Sequence, residues 1–404
     1  MNSDLQGRKI LVLGAGTWQL PYILKAKELG LRVYATDWSA GAPGAKHADV
    51  FEPIDLKNRE ATLSFARRNH VEAVFTSADI GVTTAAFVAN ELALIFHSNA
   101  VAFSATNKLA MRNKAWEAGL GTPKYKAVEN VIDALETAGE IGFPLIIKPV
   151  DNCSSRGVRY VSNVADLKNW FSESLSASFT GKVLLEEFMT GTEGSVEAVV
   201  DNGATIVLGV CDKVKSPLPY RYDVLLNYPG EYTNHEYGLI RDFTRNLVRA
   251  FEIKSGIVHI EFIVDEDSVK LIEFAARGCG SKVVTHLIPA MTGFDVMDYL
   301  LNSSFGKRKQ ISITKNLSGA LKFIMLEPGT IKEIGGIDEV RRMDGIVDMD
   351  VERKVGDTIS EIRDGRSRPA YILAVGKDRT DVANKLSGAL AKLKVSYQTL
   401  IDCP

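Results

Sequence analysis

Two glutamates, Glu261 and Glu273, stand where a simple hairpin would set them side by side. They belong to HIEFIVDEDSVKLIEFAARGCGSK, residues 259–282, whose two runs alternate like strands. With the turn centred on Asp267, antiparallel pairing sets Glu261 opposite Glu273 and His259 opposite Ala275. Opposed side chains lie about 5 Å apart at Cβ. Two carboxylates so placed repel each other, and a hard cation held between them removes the penalty. The spacing therefore predicts a magnesium site. Arg277 shares a face with Glu273, four positions on and roughly 13 Å away at about 3.3 Å per residue, where it would meet a phosphate anchored by the metal. A lone glutamate pair also fits an edge hairpin whose acids face water, so the other residues of the chain must decide.

Lys148 ends the apolar run FPLIIKPV, and burial at a strand end costs an ammonium its hydration unless an anion compensates. The loop beside it holds Ser154, Ser155, Arg156 and Gly157, which offer hydroxyls, backbone N–H groups and a guanidinium to a polyphosphate. Lys108 falls in the first turn of a helix predicted within residues 104–123, where by itself it reads as a solvated lysine. Glu186, Glu187 and Glu193 crowd the segment after the strand KVLLEE, with Phe188 and Met189 between them.

The elements that must position these groups begin with a βαβ opening over residues 8–37. Gly14 and Gly16 match the first two glycines of a dinucleotide fingerprint and Asp37 its acid, but Gln19 occupies the third glycine position, so tight-turn glycines are the better reading. VEAVFTSAD is a buried strand and TTAAFVANEL a helix. KVLLEEFMTGTEGSVEAVV reads as a hairpin with its turn at residues 191–194, continuing through Asn202-Gly203 into ATIVLGVCDKV. KSPLPYRYDVLLNYPGEYTN reads as a long aromatic binding loop, followed by a helix over about residues 236–251. FDVMDYLLN reads as a helix. From about residue 316 short strands and one helix form a terminal unit with no catalytic cluster.

The chain has 404 residues, 46% hydrophobic and 24% charged, with a formal net charge of -2, which excludes a disordered chain and any broad patch for nucleic acid or a membrane surface. The first residues lack the apolar core of a signal peptide and no segment reads as membrane-spanning, so a cytoplasmic location is expected. Cys153, Cys211, Cys279 and Cys403 show neither CxxC nor metal-ligand spacing and are expected as reduced thiols without a catalytic role.

In order and spacing these pieces resemble the ATP-grasp carboxylate–amine ligase superfamily, its L-amino acid ligase branch above all. The resemblance implies an α/β and α+β fold: a doubly wound N-terminal domain over residues 1–103, an ATP-grasp domain over 104–315 with a lid at about 124–190, and a C-terminal β-rich domain over 316–404. It implies that Lys108 and Lys148 bind ATP phosphates, aided by Ser154 and Ser155. Glu186 corresponds to the residue near the adenine amino group, residues Glu187, Phe188 and Met189 to the adenine hinge, and Glu193 to the ribose ligand. Glu261 and Glu273 correspond to the metal-binding acids, and Arg277 to the arginine at the transferring phosphate or substrate. The usual Glu-x-Asn-x-Arg reads here Glu273-Phe274-Ala275-Ala276-Arg277, so the amide for a second ion is missing and His259 is its candidate replacement.

The implied reaction uses ATP and one or two magnesium or manganese ions to activate a substrate carboxylate as an acyl phosphate, which an amine then attacks. Arg277, Lys282, Lys213 and Arg221 are the expected cations for the carboxylate, with Arg277 and Lys148 as the catalytic groups; His286 reads as structural. Small carboxylates and amines are the expected partners, and a homodimer is the family-level expectation. Two alternatives stand beside this one. A purine-pathway-like enzyme would form carboxyphosphate or formyl phosphate; a biotin carboxylase would carry Gln-x-Glu-His where this chain has Gly278-Cys279-Gly280-Ser281-Lys282. A nucleotide- or NAD-binding module without turnover would rest on Gly14, Gly16 and Asp37.

Overall fold

A computed structural model describes residues 4–398, so Cys403 lies outside the described residues. Four parallel strands open the chain: β1 (Lys9–Leu13), β2 (Arg32–Asp37), β3 (Val50–Pro53) and β4 (Ala73–Thr76), in the order β3-β2-β1-β4. The near-continuous apolar runs of β1, β2 and β4 are buried on both faces, as parallel strands with crossover helices require, while β3 at the edge is only partly buried. The strand ends at Thr76 and the helix Asp79–Glu91 that follows bring Asp79 to the carboxyl edge of this sheet.

The helix expected within residues 104–123 is two helices, Asn99–Thr106 and Lys108–Glu117. Asn107 breaks it by adopting extended backbone and accepting from the amide of Ala110, which starts a new helix with Lys108 in its first turn. A second sheet follows, built from β5 (Tyr125–Val128), β6 (Leu145–Pro149), β7 (Arg159–Val161) and β8 (Val183–Glu187) in the order β5-β8-β6-β7.

The largest sheet has eight strands: β9 (Thr192–Asp201), β10 (Ala204–Lys215), β11 (Asp223–Tyr228), β12 (Ser255–Val264), β13 (Val269–Ala275), β14 (Ser318–Ile324), β16 (Ile346–Val351) and β18 (Ala370–Gly376), in the order β13-β12-β9-β10-β11-β14-β18-β16. β15 (Gly329–Gly335), β17 (Thr358–Ile359) and β19 (Lys394–Tyr397) form a small sheet ordered β17-β15-β19. One apolar cluster takes in Ile10 and Val33 from the first sheet and Leu208, Leu226, Leu321 and Leu373 from the largest.

Two local expectations are corrected. β8 and β9 do not form a hairpin: β8 pairs with β5 and β6, whereas β9 pairs with β10 and β12, so residues 188–191 carry the chain between sheets. Gly191 makes that crossing with φ 128°, and a Cβ there would stand 2.5 Å from the carbonyl of Val264. The Pro/Tyr segment is not loop throughout, because DVLLNY is β11, inserted between β10 and β14. The Asn202-Gly203 turn does join β9 to β10, with both residues at positive φ. The helix Asn234–Ala250 begins on a capping box of Thr233 and Glu236.

Candidate active site

The hairpin of β12 and β13 has the register that the spacing predicts, His259 opposite Ala275 and Glu261 opposite Glu273. A bulge after Glu261 then shifts the register, so Phe262 faces Leu271. The hairpin floors a cleft of about 740 Å³, open mouth included, between the four-stranded lid sheet and β9–β10. Glu261, Glu273, Lys108 and Lys148 line it, with Ser155 from the lid loop. Its opposite wall holds Glu186, Glu187, Phe188 and Met189, and Glu193 and Arg221 close one side.

Four of the five acids lining the cleft have a cation partner, and the fifth, Glu187, accepts from the amide of Lys124 at 3.3 Å. Nζ of Lys108 lies 3.1 Å from Glu273 and donates to the carbonyl of Asn152 at 2.6 Å. Nζ of Lys213 lies 2.8 Å from Glu261 and 3.5 Å from Asp223. This ammonium is fully buried and makes no well-directed hydrogen bond, so its pairing is ionic and its N–H groups remain available. Glu186 is held between Lys148 at 2.6 Å and Nε of Arg112 at 2.7 Å. Glu193 takes Lys215 and Arg221, each at 2.6 Å.

These pairings set the charges. Burial disfavours the Lys148 ammonium and Arg112 and Lys108 repel it; against Glu186, they bring its pKa down to about 8. Burial acts the same way on Lys213, but Asp223 and Glu261 outweigh it and hold the pKa well above the usual lysine range. Glu261, though buried, stays ionised far below the usual carboxylate range because Lys213 and then His259 face it.

His259 does not replace the missing amide. Its Nδ1 pairs with Glu197 and its Nε2 lies 3.1 Å from Glu261, so both nitrogens are engaged. Burial disfavours the imidazolium, yet Glu197 and Glu261 hold its pKa up to about 9, leaving no lone pair for an ion. The other oxygen of Glu197 accepts from the amide of Cys279 at 2.9 Å, which gathers Glu197, His259 and Cys279 within 4.8 Å. Burial and Glu197 push the Cys279 thiol well up, so it is a neutral thiol rather than a soft ligand.

The remaining expected residues lie elsewhere. Arg277 points away from the cleft: its Nε donates to Asp79 at 2.7 Å, a second nitrogen pairs with the same carboxylate, and a third donates to the carbonyl of Gly278 at 2.6 Å. Lys282 pairs with Asp348 and lies over the Tyr371 ring. Ser154 accepts at its carbonyl from the amide of Gly365 rather than lining the cleft. His286 bonds its neighbour Thr285, and burial lowers its pKa.

Arg112, Lys215, Asp223 and Glu197 went unnoticed in the sequence. Arg112 carried a signal, since it stands four residues after Lys108 on one helix face. Lys215 carried another, two residues from Lys213 on one face of β10. Asp223 and Glu197 come to Lys213 and His259 only through the pairing of β10 with β11 and of β9 with β12. The glycine turn has a structural account: Asp37 accepts from the amides of Ala15 at 2.9 Å and Ser39 at 3.1 Å. The Gln19 side chain packs so closely over the turn that a Cβ on Gly14 would meet it at 3.0 Å.

A family model described as an ATP-grasp domain matches residues 141–286. A second model, L-amino acid ligase C-terminal domain 2, matches residues 322–398. L-amino acid ligase from Bacillus licheniformis superposes with a TM-score of 0.82 at 20% identity, covering 98% of this chain and 100% of that one. Phosphoribosylglycinamide synthetase from Anaerococcus prevotii gives 0.75 at 19%, covering 97% and 100%. The biotin carboxylase domain dimer of 2-oxoglutarate carboxylase from Hydrogenobacter thermophilus, a complex with MgADP and bicarbonate, gives 0.77 at 21%, covering 97% and 91%. At such identities the likeness is one of fold. An uncharacterized protein of Sinorhizobium fredii, y4rH, is 24% identical over 301 residues, 73% of this chain; the match spans 62% of that protein's length. Among the described residues no helix is long and apolar enough to cross a membrane.

Proposed function

We propose that this protein is an ADP-forming ligase of the ATP-grasp kind that activates a small carboxylate with ATP and joins it to an amine. The observation that carries this reading is the opposed pair Glu261 and Glu273 at the floor of a cleft lined by Lys108, Lys148 and Lys215, with Lys213 buried against Glu261. Hard carboxylate oxygens, those of Glu261 held ionised by Lys213, fit magnesium. Bound there, magnesium would neutralise charge on the phosphoryl oxygens.

In this reading Lys108 and Lys148 hold the phosphates. Phe188 and Met189, next to the acids at positions 186 and 187, flank the adenine, and Glu193 takes the ribose. Each lysine exchanges a carboxylate partner for a phosphate as the nucleotide enters, so the cations are already in position. A carboxylate oxygen of the substrate forms a bond to the γ-phosphorus as the bond to ADP breaks. The amine nitrogen then forms the C–N bond, phosphate leaves, and the nitrogen loses a proton. Closure of the lid over the cleft excludes the water that would hydrolyse the acyl phosphate. No side chain has to act as a nucleophile.

The test is ADP release from MgATP across amino acids, dipeptides and small carboxylic acids, singly and in pairs, with mass analysis of products. Release that needs two partners, with a product lighter than their sum by one water, is expected. Release driven by bicarbonate or formate would transfer the protein to the carboxyphosphate or formyl phosphate group. Failure to bind MgATP would remove the reading altogether.

A further inference from the structure

Among the described residues, none beyond Glu273 lines the nucleotide cleft, yet the terminal unit sends one turn to the cleft's lid. Residues 361–368 make this turn between β17 and β18. Asp364 stiffens it, because its Oδ1 accepts from the amides of Arg366 at 2.8 Å and Ser367 at 3.0 Å and from the Ser367 hydroxyl at 3.0 Å. Arg368 anchors it to the largest sheet. Its guanidinium lies 3.4 Å over the Phe323 ring of β14 and donates to the carbonyl of Asp223 on β11 at 3.1 Å, while its Nε donates back to the carbonyl of Gly365 at 2.8 Å. The amide of Gly365, fixed in this way, donates to the carbonyl of Ser154 in the lid loop at 2.9 Å. A Cβ on Gly365 would stand 3.2 Å from that carbonyl oxygen and 3.2 Å from a terminal nitrogen of Arg368, so the approach is close on both sides.

The backbone of Ser154 is what needs holding. Ser154 and Ser155 stand at φ 61° and 57°, in the left-handed region that residues with a Cβ rarely adopt. Two such residues in succession persist only where their surroundings impose them. The Gly365 amide fixes the first, and the Ser155 hydroxyl, donating to the carbonyl of Arg221 at 3.2 Å, fixes the second. In the loop so held, the amides of Ser154, Ser155 and Gly157 make no hydrogen bond among the described residues, which leaves three N–H groups for an anion. Cys153, Ser155 and Arg156 of the same loop line the cleft.

We propose that the turn 361–368 is a working part of the nucleotide clamp, with Gly365 and Arg368 as positioning residues that hold Ser154, and through it the loop 153–157, in the shape that the phosphates of ATP meet. The proposal rests on the ATP reading above and extends it to a unit that does not itself reach the cleft. The base and ribose end has other supports, the carbonyl of Pro144 for the Phe188 amide and Lys215 and Arg221 for Glu193. Loss of the turn's hold therefore acts on the phosphates and spares the nucleoside.

Calorimetric titration of the full chain with MgATP, and displacement of that nucleotide by AMP, test it in Arg368→Met and Gly365→Val. Each variant should weaken MgATP about tenfold and AMP, which lacks the β- and γ-phosphates, by less than about twofold. Ser154→Gly, added to either variant, should restore MgATP affinity by about threefold or more, since glycine enters the left-handed region without cost. Gly365→Val keeps Arg368 in place, so the test stands if Arg368→Met fails to fold. MgATP dissociation constants equal to wild type in both variants would overturn the proposal. Equal weakening of MgATP and AMP would overturn the positioning role, because a general loss of structure moves both. No recovery on adding Ser154→Gly would overturn the Ser154 backbone as the point of action. Failure of the wild type to bind MgATP would count against the ATP reading instead. Proteolysis within residues 153–157 without nucleotide, several-fold faster in Arg368→Met than in wild type if the turn holds the loop, would then decide the hold separately.

Discussion

Lys213 and Glu261 meet at 2.8 Å in the cleft, a fully buried cation against one of the two acids opposed on the hairpin. Buried pairs add little net stability, but removing one partner strands the other at a cost of about 3–5 kcal/mol. Asp223, at 3.5 Å from Lys213, softens that cost. Glu261→Gln should therefore destabilise by less than about 3 kcal/mol and still lower ADP release by roughly 10²- to 10³-fold. Lys213→Met with Glu261→Gln should recover the melting temperature without recovering turnover. Recovery of both by the double variant would mean that Glu261 serves the fold alone.

ATP affinity should fall as the pH rises past about 8, because burial brings the Lys148 pKa there. Below that value the ammonium that meets a phosphate is present; above it the proton is lost, and the dissociation constant weakens by at most about tenfold per pH unit. Lys148→Arg stays charged throughout, so its affinity should be flat between pH 7 and 9.5. A wild-type dissociation constant that does not change over this range would exclude Lys148 from the phosphate site.

Magnesium dependence should respond to position 275. Ala275 shares a face with Glu273 and stands opposite His259, whose nitrogens are both taken, so nothing there supplies the amide that the family pattern carries. Ala275→Asn should lower the magnesium concentration for half-maximal ADP release several-fold. An unchanged activation curve would reject a weakly held second ion.

The lid is fastened from two sides, and Arg159 is the fastening. It is fully buried, reaches the carbonyl of Arg363 at 3.3 Å and lies over the rings of Trp170 and Tyr220 at 5.3 and 4.6 Å, while the amide of Tyr160 donates to Pro219. Cation–π contacts of this kind are worth about 0.5–2 kcal/mol each. Arg159→Ala should raise the KM for ATP several-fold and speed proteolysis within residues 153–157. Protease resistance equal to wild type would show that the lid is held by other contacts.

The hairpin was legible because period-two alternation and a central Asp turn fix which residues face each other, and that reasoning needs only residues 259–277. Lys108 and Lys148 were legible by their places at a helix start and a strand end. The crossing at Gly191 was not, since adjacent strands with a glycine turn look alike whether they pair with each other or with different sheets. β11 was hidden for a related reason: its partners β10 and β14 flank it only after the chain has folded, and its prolines and tyrosines suggested a loop. Arg277 was placed by distance along its own strand, but its direction is decided by Asp79, almost two hundred residues earlier.

The largest sheet also determines what survives if the chain is shortened. β14 covers the outer side of β11 from Leu225 to Tyr228, and β18 covers β14 in turn. Cutting at residue 316 would bare a row of unpaired amides and carbonyls on β11, a template for strand addition from another molecule. Aggregation, rather than a trimmed but active enzyme, is the outcome to expect from such a deletion.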